Sequence, residues 1–230
     1  MTEANTTGLF NFTAPAVLVF PNLFEAKKFK KNGKEAGEAK YGGTLILSPD
    51  HADLAALKAR AIAVAKAKWP GRDLQADFKN GELRMPWQSG DKLAEKRVKK
   101  LTNAGKDDDG KGDFQKGKVV IKTSSKYQPR LSVINAGKIV DLEESTFTAH
   151  KSKFYSGTQV LAQVNLVPYD GVGEDGKDGV TAYLNMVLTL NKGERIGGSG
   201  PAASEVFKGY VGNVTDEDPT GGNLDDNEGF

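Results

Sequence analysis

The chain has 230 residues, 38% of them apolar and 27% charged, which suits one large domain with a single core and argues against wholesale disorder or two full-size domains. It contains no cysteine, which excludes a disulfide framework, thiol catalysis and zinc sites that need thiolate. The net charge of +2 conceals a split: six acids and no Lys or Arg follow Lys208, so 32 basic residues face 24 acids in a body of +8, and the tail carries −6.

Residues 1–9 read as a frayed arm without the basic and apolar segments of a signal peptide, and the apolar run 14–20 is far short of the ~18 residues of a membrane span. Residues 11–24 read as an extended segment. The Lys- and Gly-rich stretch 27–43 reads as a hairpin-type loop before a strand at 44–47. Ser48 offers an N-cap hydroxyl with Pro49 at the first helical position. Leu54, Leu57, Ala61 and Val64 then recur at helical spacing up to Pro70-Gly71. Together they predict one amphipathic helix of about 17–19 residues.

Residues 72–115 are ambiguous, with signals for a short strand at 83–85, a short helix at 92–101 and a charged glycine loop at 102–112. Strands resume where Val119 and Ile121 alternate with Lys118 and Lys122, and again after Pro129. The best strand pair is 158–167 with 180–190. In the second, Val180, Ala182, Leu184, Met186, Leu188 and Leu190 share one parity, so Tyr183 should face away from the apolar side. Strands, one main helix and strands again lack the strict alternation of a parallel sheet. They point to a mainly β fold, an OB-fold (a five-stranded Greek-key barrel) with an inserted helix and long loops. On this reading residues 1–211 form the barrel domain and residues 212–230 a disordered acidic tail.

Motifs for other chemistries lack their context. Residues 171–176 match G-x-G-x-x-G, but another strand follows instead of a helix N-terminus that would hold a pyrophosphate. Residues 105–111 match most of a P-loop, yet Gly112 stands where Ser or Thr must bind magnesium, and Asp107, Asp108 and Asp109 would repel phosphate. Read as a calcium loop from Asp107, the twelfth position is Lys118 instead of Glu. The two histidines, His51 and His150, have no metal-ligand spacing, and no carboxylate pair stands out as an acid/base couple. The sequence therefore calls for no metal, no cofactor and no catalytic residue.

Acid-free stretches point elsewhere. Residues 114–140 contain no Asp or Glu but include Lys116, Lys118, Lys122, Lys126, Arg130 and Lys138, and residues 145–169 are also free of acids and carry Lys151 and Lys153. A strand face lying against phosphates tolerates no carboxylates. Bases of a single strand stack on aromatic rings while cations track the backbone. Both residue types adjoin in Lys126-Tyr127-Gln128-Pro129-Arg130 and in Lys151-Ser152-Lys153-Phe154-Tyr155, with Trp87 and Tyr169 as further rings. Phe20, Phe24, Phe78 and Phe147 are assigned to the core.

At this point the chain resembles a family, the single-stranded-DNA-binding proteins of tailed bacteriophages, enterobacterial phages in particular. The resemblance rests on Asn165-Leu166-Val167-Pro168-Tyr169, on the strand-Pro-helix unit of residues 44–69, on the strand, glycine turn and strand of residues 131–141, and on an acidic tail closing on Phe230. The family usually has Asp or Pro before the final Phe, where this chain has Gly229, and it carries a second aromatic soon after the position of Tyr169 that this chain lacks.

The resemblance implies a non-enzymatic protein that coats single-stranded DNA in phage replication and recombination, within the cytoplasm of the infected bacterial host. Its expected DNA-binding residues are Trp87, Lys122, Lys126, Tyr127, Arg130, Lys151, Lys153, Tyr155 and Tyr169. The tail residues Asp225, Asp226, Glu228 and Phe230 are expected to recruit replication proteins, and removing the tail to admit duplex DNA weakly. No membrane partner is expected, and a homo-oligomer is compatible with the sequence. The alternative is a phage structural or assembly protein that binds no nucleic acid.

Overall fold

The computed structural model describes residues 8–31, 34–171 and 176–197. Five strands close on themselves: β2 (Ala16–Lys31), β3 (Lys34–Leu47), β6 (Val119–Ser125), β9 (Gln159–Tyr169) and β10 (Asp178–Thr189). β2 pairs with β3, β3 with β6, β6 with β10, β10 with β9, and β9 returns to β2. Only the β6–β10 contact is parallel. Taken in chain order the five run 1-2-3-5-4 and back to 1, the Greek-key closure of an OB barrel, which removes the sheet edges that would otherwise template aggregation.

The shorter strands extend this barrel. β1 (Leu9–Asn11) pairs with β9. β4 (Leu83–Arg84) and β5 (Trp87–Ser89) pair with β10 and β6 respectively, where those two strands splay. The hairpin of β7 (Arg130–Asn135) and β8 (Lys138–Asp141) continues the sheet beyond β10.

The barrel is filled by one parity of each strand, with Leu18, Leu45, Leu47, Ile121, Leu166 and Leu184 almost wholly buried. Burial of each such leucine contributes roughly 1.5–3 kcal/mol. α1 (Leu54–Lys68) packs its stripe Leu54, Leu57, Ala61, Val64 and Ala65 into the same core. α2 (Leu74–Asn80) and α3 (Gly90–Asn103) follow, and α4 (Phe147–His150) is a single turn.

The opposite parity forms a second, smaller cluster on the outside of the barrel. Val19, Ile46 and Val120 are buried there beneath Leu93 of α3 and Phe114. Part of the outer wall of β2, β3 and β6 is therefore covered, and only the part beyond it remains open.

Several expectations are corrected. Ser48 and Pro49 do not start the main helix. Residues 48–54 make turns, with the His51 N–H on the Ser48 carbonyl and the Leu54 N–H on the His51 carbonyl, and α1 begins at Leu54. The reason lies far away in sequence. The Asp53 carboxylate accepts hydrogen bonds from the Thr13 N–H (2.7 Å), the Thr13 hydroxyl (2.6 Å) and the Ala14 N–H (2.8 Å), which anchors the helix start to the segment before β2. His51 completes the anchor in its Nε2–H tautomer, Nε2 donating to the Pro15 carbonyl and Nδ1 accepting the Asp53 N–H.

Residues 27–43 are not a loop, because β2 and β3 run on as a long twisted ribbon to Lys31 and from Lys34. On β10 the parity expected through Leu190 holds only to Leu184. A bulge between Leu184 and Met186 inverts it, so Val187 and Thr189 point inward, as an extra residue on one strand must make them do. α2 has no counterpart in the sequence reading.

Candidate nucleic-acid interface

On the open part of the barrel wall, Thr44 of β3 stands opposite Lys122 of β6, and Gly42 opposite Ser124. Lys122 is exposed because it has the outward parity, one step beyond the covered Val120. At the end of β6 the chain turns, and the turn is tied down. The Tyr127 N–H donates to Ser125 Oγ (3.0 Å), and Gln128 Nε2 donates to the Leu23 carbonyl (3.1 Å). The Tyr127 ring itself stands 82% exposed. A tyrosine held out by a fixed turn is a ready stacking surface, since it loses little entropy on contact.

Tyr183 of β10 joins this group. It is 39% exposed and faces outward as its parity predicts, and the pairing of Ala182 with Thr123 sets it beside the outward-facing Ser124 of β6. Lys126 hydrogen-bonds Glu38 at 2.7 Å. That bond raises the Lys126 pKa and lowers that of Glu38, so both stay charged at neutral pH.

A groove beside them is lined by Phe20, Lys27, Lys28, Lys40, Tyr41 and the backbone of Gly42, with Glu38 its sole acid among the described residues. A Cβ on Gly42 would sit 2.3 Å from the Thr123 carbonyl oxygen, so glycine is required for β3 to approach β6 this closely. Phe20 forms the other wall at 62% exposure, which corrects its assignment to the core. The bulge after Val19 puts Phe20 in a left-handed conformation (φ 52°), with its N–H on Ser156 Oγ (2.8 Å) and its ring edge-on to Phe114. Phe78 is likewise 43% exposed and lies outside the core, whereas Phe24 and Phe147 pack against it as expected.

The structure thus brings Lys122, Lys126 and Tyr127 onto one wall and adds Tyr183, Tyr41, Phe20 and Lys40. Arg130 is the next step along, exposed beside Asp141 (3.8 Å), in a neighbouring groove with Gln128, Gln163 and Asn185. Lys151, Lys153 and Tyr155 lie on the segment leading into β9. There Lys151 approaches Glu25 of β2 (3.8 Å), and the Lys153 carbonyl accepts the Thr189 hydroxyl. The Tyr155 hydroxyl donates to the Gly193 carbonyl (2.7 Å), and its ring carries the Arg195 guanidinium 4.5 Å above its centroid. Trp87 is half-buried, and its ring contacts Phe78 between the helices.

Tyr169 sits at the mouth of the β9–β10 loop, opposite Gly179. A Cβ on Gly179 would lie 2.7 Å from both the Tyr169 hydroxyl oxygen and the Arg84 carbonyl oxygen, so the ring lies across bare backbone. The loop base is fixed by Arg72, which bridges Asp77 and Asp178, and by Lys68 on Asp170 (2.8 Å). Gly179→Ala should therefore displace the ring and cost about 1–3 kcal/mol of stability. Chemical denaturation of the variant checks this, and an unchanged midpoint would refute the packing.

Tyr183 was the ring most accessible to sequence reasoning, since its parity already placed it outward. Phe20 carried no comparable signal, because a bulge is set by its partner strand. The tail residues Asp225, Asp226, Glu228 and Phe230 lie outside the described residues. Among the described residues no cluster of His, Asp or Glu could hold a metal ion, and Asp109 of the acidic run is held by Arg97 at 2.7 Å. No helix among them is long and apolar enough to cross a membrane.

Comparison with known proteins places this geometry in context. The family described as Enterobacter phage Enc34, ssDNA-binding protein, matches residues 12–219. The chain is 27% identical over 194 residues to protein p50 of Acyrthosiphon pisum secondary endosymbiont phage 1, covering 83% of this chain and 88% of that one. Among solved structures it is similar to the single-stranded DNA-binding protein from bacteriophage Enc34, with a TM-score of 0.53 at 16% identity over 90% of this chain and 97% of that one. The complex of that protein with ssDNA matches equally well, with a TM-score of 0.53 at 17% identity over 86% and 97% of the two chains. At such identities the structures show a shared fold. With nine-tenths of its length matched by the family, the chain belongs to the Enc34 single-stranded-DNA-binding proteins.

Proposed function

We propose that the chain binds single-stranded DNA, largely without regard to sequence, in phage DNA replication and recombination, and that it works as a binding protein with no catalytic step. The observation that carries this reading is the placement of Lys122, Lys126, Tyr127 and Tyr183 along the exposed side of neighbouring strands β6 and β10 of an OB barrel and of the turn that ends β6. Lysines there neutralise phosphates and release counterions, while the tyrosine rings offer π-faces that any base can use. Arg130, Lys151, Lys153, Tyr155 and Tyr169 are further proposed contacts, Tyr155 once its ring is released by Arg195, and the infected host's cytoplasm is where such a protein meets replicating DNA.

The acidic tail, residues 212–230, regulates this surface. Its six carboxylates and terminal Phe230 offer the same charge and aromatic chemistry as a short oligonucleotide, so it competes for the lysines and also recruits replication proteins. Truncation after residue 211 should tighten binding of oligo-dT at low salt and allow weak binding of duplex, as measured by fluorescence anisotropy. An unchanged affinity refutes the tail's role. Failure of the full-length chain to bind oligo-dT at any salt concentration refutes the function itself and favours an assembly protein.

A further inference from the structure

Away from the barrel wall, the groove between α2 and α3 has the same chemistry. Its floor is a pair of rings, Phe78 and Trp87, with centroids 5.9 Å apart and planes tilted by 57°. Lys58 Nζ stands 5.9 Å from the centre of the Trp87 ring. Lys79 closes the end of α2, and Lys92 and Lys96 line the groove from successive turns of α3. Among the described residues no carboxylate lines this groove. Of the acids on the two helices, Asp77 is paired with Arg72, Asp91 accepts the Gly117 N–H (2.8 Å), and Glu95 lines a different groove with Val98 and Lys99.

We infer that this groove is a second contact for single-stranded DNA, which lengthens the track beyond the barrel wall. The inference rests on the function proposed above. An exposed Phe78 ring against a half-buried Trp87, flanked by lysines with no carboxylate in this lining, suits a base and its neighbouring phosphates, while Asp73 lines the adjoining groove on the other side of the same rings. The groove is also one strand away from the first site. β5 is hydrogen-bonded to β6 with Trp87 opposite Ile121 and Gln88 opposite Val120, and Lys122 is the next residue of β6. Gln88 lines the groove and shares the outward face of the sheet with Val120 and Lys122, whereas Trp87 shares the inner face with Ile121. The rim of the groove, not its aromatic floor, is therefore continuous with the barrel wall, and a lining of lysines without a carboxylate suits a polyanion over an acid-poor peptide.

The test compares oligo-dT of about 8 and about 24 nucleotides, spanning the site sizes of one OB-fold and more. Lys79→Glu, Lys92→Glu and Lys96→Glu combined alter only exposed side chains, and Phe78→Ala is a charge-neutral companion. Both should bind the short oligonucleotide within about twofold of wild type and the long one roughly tenfold more weakly. The triple variant's salt slope for the long oligonucleotide should fall by about 2, at ~0.7 for each phosphate that no longer meets a lysine. In a Trp69→Phe background, only the long oligonucleotide should quench Trp87. Wild-type affinity of both variants for the long oligonucleotide overturns the inference while leaving the barrel-wall reading intact, even if the groove proves to take an acidic peptide. Absence of any binding by the wild type would overturn both.

Discussion

Reversing Lys122 and Lys126 to glutamate together should weaken binding of oligo-dT by about a hundredfold at low salt and flatten its salt dependence by about 1.4 log units per decade, two phosphates at ~0.7 each. Thermal unfolding should be unaffected, because both side chains are exposed. The one ion pair removed, Lys126 with Glu38, is at the surface, where such pairs contribute little. Glu38 also defines a reciprocal arm. It holds Lys126 in the free protein and must yield it to a phosphate, so Glu38→Gln should tighten binding several-fold. Because that pair raises the Lys126 pKa, the lysine stays charged at neutral pH, and titration there cannot mimic the variant. Anisotropy titrations at several salt concentrations provide the measurement. A double variant with wild-type affinity and slope would mean that the phosphates run elsewhere.

Asp53→Ala should lower stability by about 3 kcal/mol, since it strands two backbone donors and a hydroxyl that the carboxylate now satisfies at a site only 7% exposed. In a domain of this size that corresponds to a fall of roughly 6–12 °C in Tm. The loss should depend on pH. Burial by itself raises the Asp53 pKa, but the hydrogen bonds from Thr13 and Ala14 outweigh it, and the carboxyl sits below its ordinary value of 3.8. A carboxyl with a depressed folded-state pKa adds stability that is fully present above the unfolded value and disappears as pH falls through the folded one. The gap between wild type and variant should therefore be constant above about pH 5 and shrink below about pH 4. Denaturant midpoints across that range test it. A gap that persists unchanged at about pH 2 would show that the carboxylate's charge is not what matters.

The fold was legible where neighbours in sequence are neighbours in space. Alternation placed β6, β9 and the first half of β10, and the apolar stripe of α1 was readable from Leu54 to Val64. What failed depended on distant partners. The start of α1 is decided by Thr13 and Ala14, some 40 residues away, so local capping signals at Ser48 misled. The ribbon over residues 27–43 looked like a loop because its lysines and glycines are weak strand formers, yet each strand of a hairpin supplies the other's hydrogen bonds.

For the interface, composition already gathered the right chemistry in the acid-free stretch around Lys122, Lys126 and Tyr127. Alternation also tells which parity of a strand points outward, and it turned Tyr183 outward without marking it as a DNA contact. It cannot tell what covers that parity. Val120 and Lys122 point the same way from β6, but Leu93 and Phe114 fold over the first and leave the second open. The bulges that expose Phe20 and invert β10 after Leu184 are likewise set by the strands alongside. Charge, composition and period are local properties that the chain carries unfolded. Which outward face stays uncovered is a property of long-range packing, and it came into being only when the helices closed over part of the barrel.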